Sequence, residues 1–148
     1  MNLLLVRPDE LSRGTLVVRG RRLAHLRQVL SSRTGDRVRV GEVVGRVGEG
    51  TVTAISADEA TLEVVLDREP PPPLPVTVVL ALPRPKMLRR ILRACAETGV
   101  KEIHLINSYR VEKSFWQSPV LGDATLESCL LAGLEQAQDT VLPRVHRH

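Results

Sequence analysis

A run of prolines near the middle of the chain is the feature that most restricts how it can fold. Five of the ten prolines lie between Pro70 and Pro75, in the segment Glu69-Pro-Pro-Pro-Pro-Leu-Pro. Proline has no backbone N–H to donate to a sheet, and a proline-rich segment stays extended at about 3.1 Å per residue. We predict a linker over residues 69–75, between a first part (residues 1–68) and a second part (residues 76–148). A proline-rich ligand for a partner protein is the alternative, but strand-like segments on both sides favour a spacer.

The composition restricts the class of protein. With 148 residues, 43% hydrophobic and 26% charged, the chain is expected to fold rather than to be disordered or collagen-like. Aromatic residues make up 2% of the chain, too few for a surface that stacks single-stranded RNA bases. The two cysteines, Cys95 and Cys129, lie too far apart for a zinc knuckle, so we expect reduced thiols on buried helix faces and no metal site. No apolar run reaches membrane length, and we expect a cytoplasmic protein.

Positive charge is concentrated at the start of the chain. Residues 1–40 contain nine arginines and three acids, whereas residues 41–75 contain two arginines and seven acids. Residues 76–148 contain ten basic and seven acidic residues, and the whole chain carries a formal net charge of +4. Arginine dominates the basic residues, and its planar guanidinium offers paired donors to phosphate or carboxylate. This segregation is typical of a nucleic-acid-binding surface.

Short β-rich segments recur before the proline run and predict a small antiparallel barrel. Turn residues separate them: Pro8-Asp9, Gly35-Asp36, Gly48-Glu49-Gly50 and Ala57-Asp58. The glycines between residues 41 and 50 do not lead from a strand into a helix, so they indicate hairpin turns rather than a phosphate-binding loop. The predicted strands are Leu3–Val6, Thr15–Val18, Arg37–Val40, Val43–Val47, Thr51–Ile55 and Thr61–Leu66.

One helix, from about Arg21 to Leu30, interrupts the predicted barrel. Its apolar side comprises Leu23, Leu26, Val29 and Leu30, and its polar side includes Gln28. We predict that the basic residues in and beside it contact RNA, although an ordinary solvated helix face is the alternative. His25 is expected to be a hydrogen-bonding surface residue. The predicted RNA-contacting residues of this region are Arg19, Arg21, Arg22, His25 and Arg27.

The pattern changes after the prolines to that of a parallel α/β unit. Val76–Leu80 is a continuous apolar run, which predicts a buried parallel strand. A helix over about 87–98 and a strand over 102–106 complete a βαβ unit, with Gly99 ending the helix. A last helix, over about 123–139, is expected to point Glu135 outward and to stop at Pro143. The final residues, 144–148, resemble the opening of another strand.

Ligands of open parallel sheets bind beyond the carboxyl ends of the strands. Two loops leave those ends, over residues 82–86 and 107–113. We predict that their four cations converge on an anionic ligand such as a phosphate backbone. These cations are Arg84, Lys86, Arg110 and Lys113.

Several motifs follow one another along the chain in a fixed order. They are Gly20-Arg-Arg-Leu-Ala-His25-Leu-Arg-Gln-Val-Leu30 with Gly35-Asp36, Leu82-Pro-Arg-Pro-Lys86-Met87, Glu97-Thr-Gly99-Val100, Asn107-Ser-Tyr-Arg110-Val-Glu-Lys113 and Leu134-Glu135-Gln136. In this order and spacing they resemble the RsmE family of 16S ribosomal RNA (uracil-N3)-methyltransferases, of the SPOUT class. The resemblance covers the whole chain.

The resemblance implies an α+β, two-part architecture. A PUA-like antiparallel β-barrel that binds RNA would be followed by a truncated α/β SPOUT-type, knotted methyltransferase domain. It further implies a homodimer that uses S-adenosylmethionine and acts on 16S ribosomal RNA of the small subunit. The family's Gly-Pro-Glu-Gly-Gly and Leu-Arg-x-Glu-Thr segments, which form the cofactor pocket, do not occur in these 148 residues. We therefore expect no cofactor-binding residue in this chain, which taken alone is expected to be inactive.

The implied chemistry is attack of uracil N3 on the methyl group of the cofactor, with positioning supplying much of the rate. The sequence does not identify a general base, and Glu97, Glu135 and His25 are candidates by residue type only. Two alternatives remain open: an RNA-binding module without catalysis, and another nucleotide-binding α/β enzyme. The second is disfavoured because no glycine-rich turn joins a strand to a helix.

Overall fold

The computed structural model describes residues 2–28 and 30–148, and its first half is a six-stranded sheet. The helix α1 (Gly20–Gln28) joins its third and fourth strands. The strands are β1 (Leu4–Val6), β2 (Leu11–Ser12), β3 (Thr15–Val18), β4 (Arg37–Glu42), β5 (Val47–Ile55) and β6 (Ala60–Arg68). Their order across the sheet is β1-β4-β5-β6-β3-β2.

The prediction of an antiparallel barrel is wrong in one respect, because the sheet is mixed. Strand β1 runs parallel to β4, with Leu4 opposite Val40, while the other pairs of this sheet are antiparallel. Within the described residues, the edge strands β1 and β2 do not pair with each other. Strand β1 is short and apolar, and it takes the edge position because that position lies against the second half of the chain.

Strand β1 and Leu3, which precedes it, are buried on both sides. Leu4 and Val6 belong to the core of the six-stranded sheet. Leu3 and Leu5 belong to a second core, built mainly from residues after the prolines. Successive side chains of a strand point to opposite sides, so one strand fills two cores. The two halves are therefore packed together and not separated by the proline segment.

The helix predicted near residue 21 exists, but it is shorter at its end than predicted. Leu23 and Leu26 are buried in the first core, as the helical spacing predicted. Leu30 lies beyond the helix and is 48% exposed, so its placement on the apolar side was wrong. Val29 lies outside the described residues. The helix begins at Gly20, whose φ of 58° favours glycine at this entry into the helix.

Two glycines that we assigned to a hairpin turn lie inside a strand. Gly48 and Gly50 belong to β5, and of the predicted strand over 43–47 only Val47 is in β5, while residues 43–46 form a turn before it. The pairing of β5 with β6 shifts register between Val47 and Gly48. A Cβ at Gly48 would lie 2.8 Å from Cα of Leu66 and closer still to the carbonyl oxygen of Val65. Glycine is needed there because two backbones approach closely at a bulge.

The second half is a three-stranded parallel sheet, and its order is that of the chain. Each adjacent pair of strands is parallel, which confirms the predicted βαβ pairing and the final strand. Its elements are β7 (Leu74–Ala81), α2 (Pro85–Glu97), β8 (Val100–Ile106), α3 (Lys113–Trp116), α4 (Asp123–Ala137) and β9 (Arg144–Arg147).

Helices α2 and α4 pack on each other, and their apolar residues share a core with one face of this sheet. A Cβ at Gly133 would meet the carbonyl oxygen of Arg93 at 2.5 Å, so this glycine permits close contact between the helices. Strand β7 was predicted to be buried, but it lies at an edge with Val76 and Val79 exposed. Parallel strands are normally buried because both sheet faces are covered. The packed helices described here cover one face.

The segment boundaries near the prolines and near the last helix differ from prediction. Strand β7 begins at Leu74 and includes Pro75, which an edge strand tolerates because one of its sides needs no N–H donor. Helix α4 ends at Ala137, where Gln138 adopts a left-handed conformation with φ of 57°. Pro143 therefore does not stop the helix, as we predicted, since the helix has already ended.

Both cysteines are free and lie on helices, as predicted. Cys95 is buried on α2, and burial raises the pKa of its thiol; burial likewise raises the pKa of the half-buried Cys129 thiol on α4. Both groups are protonated at neutral pH and are weak nucleophiles. Among the described helices, none combines the length and apolar character needed to cross a bilayer.

Replacing Gly48 with alanine should destabilise the protein strongly. The new methyl group meets backbone atoms of β6, which cannot rotate away, so we expect a loss of about 3 kcal/mol or more in the free energy of unfolding. Gly45→Ala is the control, because the atoms nearest to its new Cβ belong to the Glu42 side chain and not to backbone. Urea unfolding of the two variants checks this, and equal stabilities would contradict the close approach at the bulge.

Candidate nucleic-acid interface

A groove of about 720 Å³ runs between the first sheet and α4, and arginines line one of its walls. Arg19 precedes α1, and Arg21 and Arg22 lie in its first turn. Arg7, which follows β1, is a fourth arginine of this groove. The structure therefore brings three of the predicted RNA-contacting residues together between the two halves.

Two of the arginines form ion pairs across the groove to α4. Arg7 Nη2 lies 2.7 Å from Glu127 Oε1, and Arg21 Nη2 lies 3.0 Å from Glu135 Oε1. The Arg21 side chain is 73% exposed, whereas the Glu135 side chain is only 8% exposed. The arginines of this groove therefore stabilise the docking of the two halves as well as offering positive charge to a ligand.

Glu135 was predicted to point outward, and that prediction is wrong. Its backbone carbonyl accepts hydrogen bonds from the N–H groups of Asn2 and Leu3, at 2.9 and 3.0 Å. Helical periodicity identifies the side of α4 that faces α2 and the sheet. A second side of α4 is covered by the first half of the chain, and no periodicity within α4 reports that contact. The backbone of Glu135 therefore links the two halves of the chain, and Arg21 neutralises the charge of the Glu135 carboxylate.

Arg22 is held within the first half. Its side chain is 22% exposed and donates to the carbonyl oxygen of Leu5 at 3.1 Å and to both carboxylate oxygens of Glu10. The hydrogen bonds from Arg22 hold the pKa of the Glu10 carboxyl below its usual range; burial opposes this shift, and the Arg7 backbone N–H supports it. Three donor contacts on a half-buried guanidinium indicate a structural role, so Arg22 is not a freely available phosphate ligand.

Arg19 and Arg27 are more accessible than Arg22. Arg19 pairs with Glu59 through Nε and Nη2, at 3.1 and 2.5 Å, and its side chain is 70% exposed. Arg27 is exposed and donates Nη1 to the carbonyl oxygen of Ala57 at 3.1 Å. Exposed pairs of this kind are worth about 1 kcal/mol or less, so a phosphate can displace either partner.

His25 differs from the surface residue that we expected. It is half-buried, and its Nε2 is buried without a hydrogen-bond partner among the described residues. The side chain separates two cavities of about 290 and 230 Å³, one beside Leu30 and the other beside Arg93. RNA contact by His25 remains a prediction, and the burial of Nε2 leaves that atom unavailable in this conformation.

The four strand-end cations lie in the two loops that follow β7 and β8, and their convergence on one anionic ligand remains a prediction. Arg84 is the cap of α2 and Lys86 lies in its first turn, while Arg110 and Lys113 follow β8. A backbone hydrogen bond of 3.0 Å from Leu82 N to Ile106 O joins the starts of the two loops. The four cations are exposed, and none forms an ion pair among residues 2–28 and 30–148. Their charge is therefore not compensated by ion pairs within the described residues, and the fully exposed Tyr109 lies in the second loop.

Two features of the surface were missed in the sequence. Arg7 enters the groove because β1 carries it there, and no local motif marks it. A cluster of His104, His146, His148 and Glu102 lies on the second sheet. The alternation Glu102-x-His104 and His146-x-His148 is a signal for it, since residues two apart share one face of a strand.

Comparison with known proteins assigns the family. Residues 70–148 match the model of the RNA methyltransferase domain. The chain is 31% identical over 150 residues to the ribosomal RNA small subunit methyltransferase E of Treponema pallidum, covering 98% of this chain and 56% of that protein. The chain belongs to the RsmE family of RNA methyltransferases. A second member, from Synechocystis, is 29% identical over 96 residues, covering 65% of this chain and 32% of that protein.

Solved structures of similar fold agree with the RsmE assignment. A probable rRNA methyltransferase from Porphyromonas gingivalis superposes with a TM-score of 0.74 at 18% identity, covering all of this chain and 60% of that one. The ribosomal RNA small subunit methyltransferase E of Neisseria gonorrhoeae, bound to S-adenosyl methionine, gives 0.71 at 18% identity, covering 99% of this chain and 62% of that one. The chain spans about half the length of the Treponema relative and about three fifths of these structures.

Replacing Arg22 with alanine should lower stability by about 1–3 kcal/mol, because it removes the hydrogen bonds from the guanidinium to the Leu5 carbonyl and to both oxygens of Glu10, whose carboxylate keeps the Arg7 backbone N–H as a donor. The matched control is Arg19→Ala, which removes an exposed pair with Glu59 and should change stability by less than about 0.5 kcal/mol. Thermal unfolding of both variants measures the difference. Equal effects would contradict a structural role for Arg22.

The Glu10 contact should also make stability depend on pH. Because the folded-state pKa of Glu10 is lowered, its contribution is fully present above the unfolded value of about 4.3 and is lost as the pH falls through the folded value. Wild type should therefore be more stable than Glu10→Gln at pH 7, and the gap should narrow below about pH 4. Urea titrations across this range test the expectation, and a gap that widens on acidification would contradict it.

Proposed function

We propose that the protein containing this chain methylates N3 of a uracil in 16S ribosomal RNA of the small subunit, using S-adenosylmethionine, and that this chain binds and positions the RNA. The observation that carries the proposal is the match to the Treponema enzyme, which extends over both halves of this chain. Structures of similar fold from Neisseria and Legionella are described as bound to S-adenosylmethionine, which supports the choice of methyl donor.

The described residues do not offer a fitting pocket for S-adenosylmethionine. The groove of about 720 Å³ has apolar side chains such as Val43 and Leu131 in its wall, but that wall also carries three arginine–glutamate ion pairs. The cavity beside Leu30 is smaller, at about 290 Å³. Ligand pockets are mostly apolar with a few polar groups, and typically measure about 300–1,000 Å³. We place the methyl donor's site, and the group that withdraws the N3 proton, in other parts of the protein.

The part of this chain in the reaction would be to hold the RNA so that the target base reaches the methyl donor. Methyl transfer forms a bond from N3 to carbon while the bond from sulfur to carbon breaks, so the two reactants must be aligned. Phosphate contacts fix the register of a nucleic acid without reading its sequence. The strand-end cations and the exposed Arg19 and Arg27 are suited to such contacts because their charge is accessible.

The strand-end cations are the stronger of the two candidate RNA surfaces. Within the described part of the chain, their charge is not offset by ion pairs, whereas each arginine of the groove has a carboxylate partner. RNA that binds the groove must displace or share those carboxylates. Contact by Arg21 and Arg22 remains part of the proposal, with a smaller expected share of the affinity.

The family resemblance also supports a PUA-like first part, a SPOUT-type second part, a homodimer and action in the cytoplasm. These finer assignments are part of the proposal and rest on the resemblance alone.

RNA binding should depend on the strand-end cations and on salt. Arg84→Gln with Lys86→Gln, or Arg110→Gln with Lys113→Gln, should each weaken binding of small-subunit RNA about tenfold and make the salt dependence shallower by about one to two counterions. The control pair, Arg37→Gln with Arg68→Gln, removes the same charge from exposed positions on the first sheet. Fluorescence anisotropy at several salt concentrations measures both. If the control variant loses as much RNA affinity as the strand-end variants, the effect comes from net charge alone and the strand-end cations are not a specific RNA surface.

Methylation itself should be visible as a block to base pairing. Full-length protein incubated with small subunits and S-adenosylmethionine should produce one new reverse-transcription stop at a uridine, because a methyl group on N3 removes a pairing donor. Reactions without the methyl donor give the background. If every uridine stays unmodified while RNA binding is intact, the chain belongs to an RNA-binding protein without this activity.

A further inference from the structure

Three of the four histidines of the chain lie together on the second sheet, apart from both candidate RNA surfaces. His104 lies on β8 directly opposite His146 on β9, and His148 follows two residues after His146. Ile103 and Leu105 point into the core with α2 and α4. Residues that alternate with them point to the other face, so Glu102 and His104 share the face that these helices do not cover.

The side chains of this cluster already contact one another through their metal-ligating atoms. His146 Nε2 lies 2.8 Å from Glu102 Oε2, and His104 Nδ1 lies 2.9 Å from His148 Nε2. The ring of His104 stacks against those of His146 and His148, with centroids 4.5 and 5.1 Å away. One ligand atom each from Glu102, His104 and His146 lies within 4.8 Å of the others. The register of β8 and β9 produces this convergence.

The set of donors has the chemistry of a zinc site. Imidazole nitrogens and a carboxylate oxygen bind Zn²⁺ at about 2.0–2.2 Å in a tetrahedral arrangement, which separates neighbouring donors by about 3.3 Å. Pairs now at 2.8 and 2.9 Å would open by about half an ångström around an ion. Glu102, His104 and His146 are half-buried and His148 is exposed, so an ion can enter and the side chains can adjust.

The positive charge of Arg144 lies close to Glu102 and would repel a metal ion bound there. Arg144 Nη1 lies 3.8 Å from Glu102 Oε1, but its side chain is 80% exposed and can turn into solvent. Val79, on the adjacent strand β7, is an exposed apolar neighbour of His104 and competes for no donor. The geometry of the cluster therefore permits a bound cation once Arg144 moves away.

We propose that Glu102, His104, His146 and His148 form a binding site for a single divalent transition-metal ion, Zn²⁺ in particular, on the face of the parallel sheet opposite α2 and α4. The ion would join β8 to β9 and stabilise the edge strand β9. The site is independent of the proposed methyl transfer, which uses no metal. The cysteine spacing that led us to expect no metal site does not bear on it, because its ligands come from β8 and from the end of the chain, with His104 and His146 lying 42 positions apart.

Calorimetric titration of the metal-free 148-residue protein with Zn²⁺ tests the proposal. We expect one ion per chain at a dissociation constant of about 1 μM or lower, together with a rise in the midpoint of thermal unfolding. Co²⁺ should give the absorption bands of a tetrahedral nitrogen and oxygen site. His104→Gln and His146→Gln should each weaken binding at least tenfold, since even the loss of an outer-shell partner costs about 10–100-fold.

His25→Gln is the matched control, because it removes the one histidine outside the cluster. It should bind Zn²⁺ as wild type does. Circular dichroism of the metal-free variants verifies that each is folded, which is expected because the cluster lies on a sheet surface. Absence of binding to the wild type, or equal affinity in all three histidine variants, would overturn the proposal. RNA affinity should be unchanged by Zn²⁺. The metal site and the proposed RNA-binding function can therefore fail or succeed independently of each other.

Discussion

The structure depends on a single short strand whose side chains are all buried. Residues 3–6 place Leu4 and Val6 in the core of the six-stranded sheet, and Leu3 and Leu5 in the core that contains α2 and α4. Burying four such side chains is worth about 1.5–3 kcal/mol each, and the gain is divided between the two cores. The halves are consequently held in one arrangement although a run of prolines connects them. The groove between them exists because β1 and α4 are fixed side by side.

Ion pairs around that groove reduce how much of the positive charge in the sequence is available to a ligand. The first forty residues are rich in arginine, but each of the four arginines that line the groove pairs with a glutamate: Glu10, Glu59, Glu127 or Glu135. Some of this positive charge therefore stabilises the fold and is only partly available to a polyanion. The strand-end cations number only four, against nine arginines in residues 1–40, but they are exposed and are not compensated by ion pairs among the described residues. Availability of charge, rather than its amount, ranks the two surfaces as RNA contacts.

The second sheet has two chemically different faces. Helices α2 and α4 cover one face with apolar contacts, and the other presents histidines, a glutamate and the exposed valines of β7. Parallel sheets generally bury both faces. A face of this kind can carry polar groups in close contact, and the paired register of β8 and β9 gathers the histidines there. The family assignment concerns RNA methylation and neither requires nor explains this cluster.

The sequence by itself determined the parts of the protein that depend on local pattern. Apolar spacing identified α1, α2 and α4, the proline run marked the passage between two kinds of pattern, and a set of ordered motifs identified the RsmE family. Boundaries failed where the decisive contact was distant: Gly48 lies in a strand because Val65 approaches it, and Glu135 is buried because residues 2 and 3 bind its backbone. Only the tertiary structure decided that β1 runs parallel to β4, which arginines are paired and where the histidines meet. Those features join residues many positions apart, and no periodicity within one segment records the partner that a side chain finds across the fold.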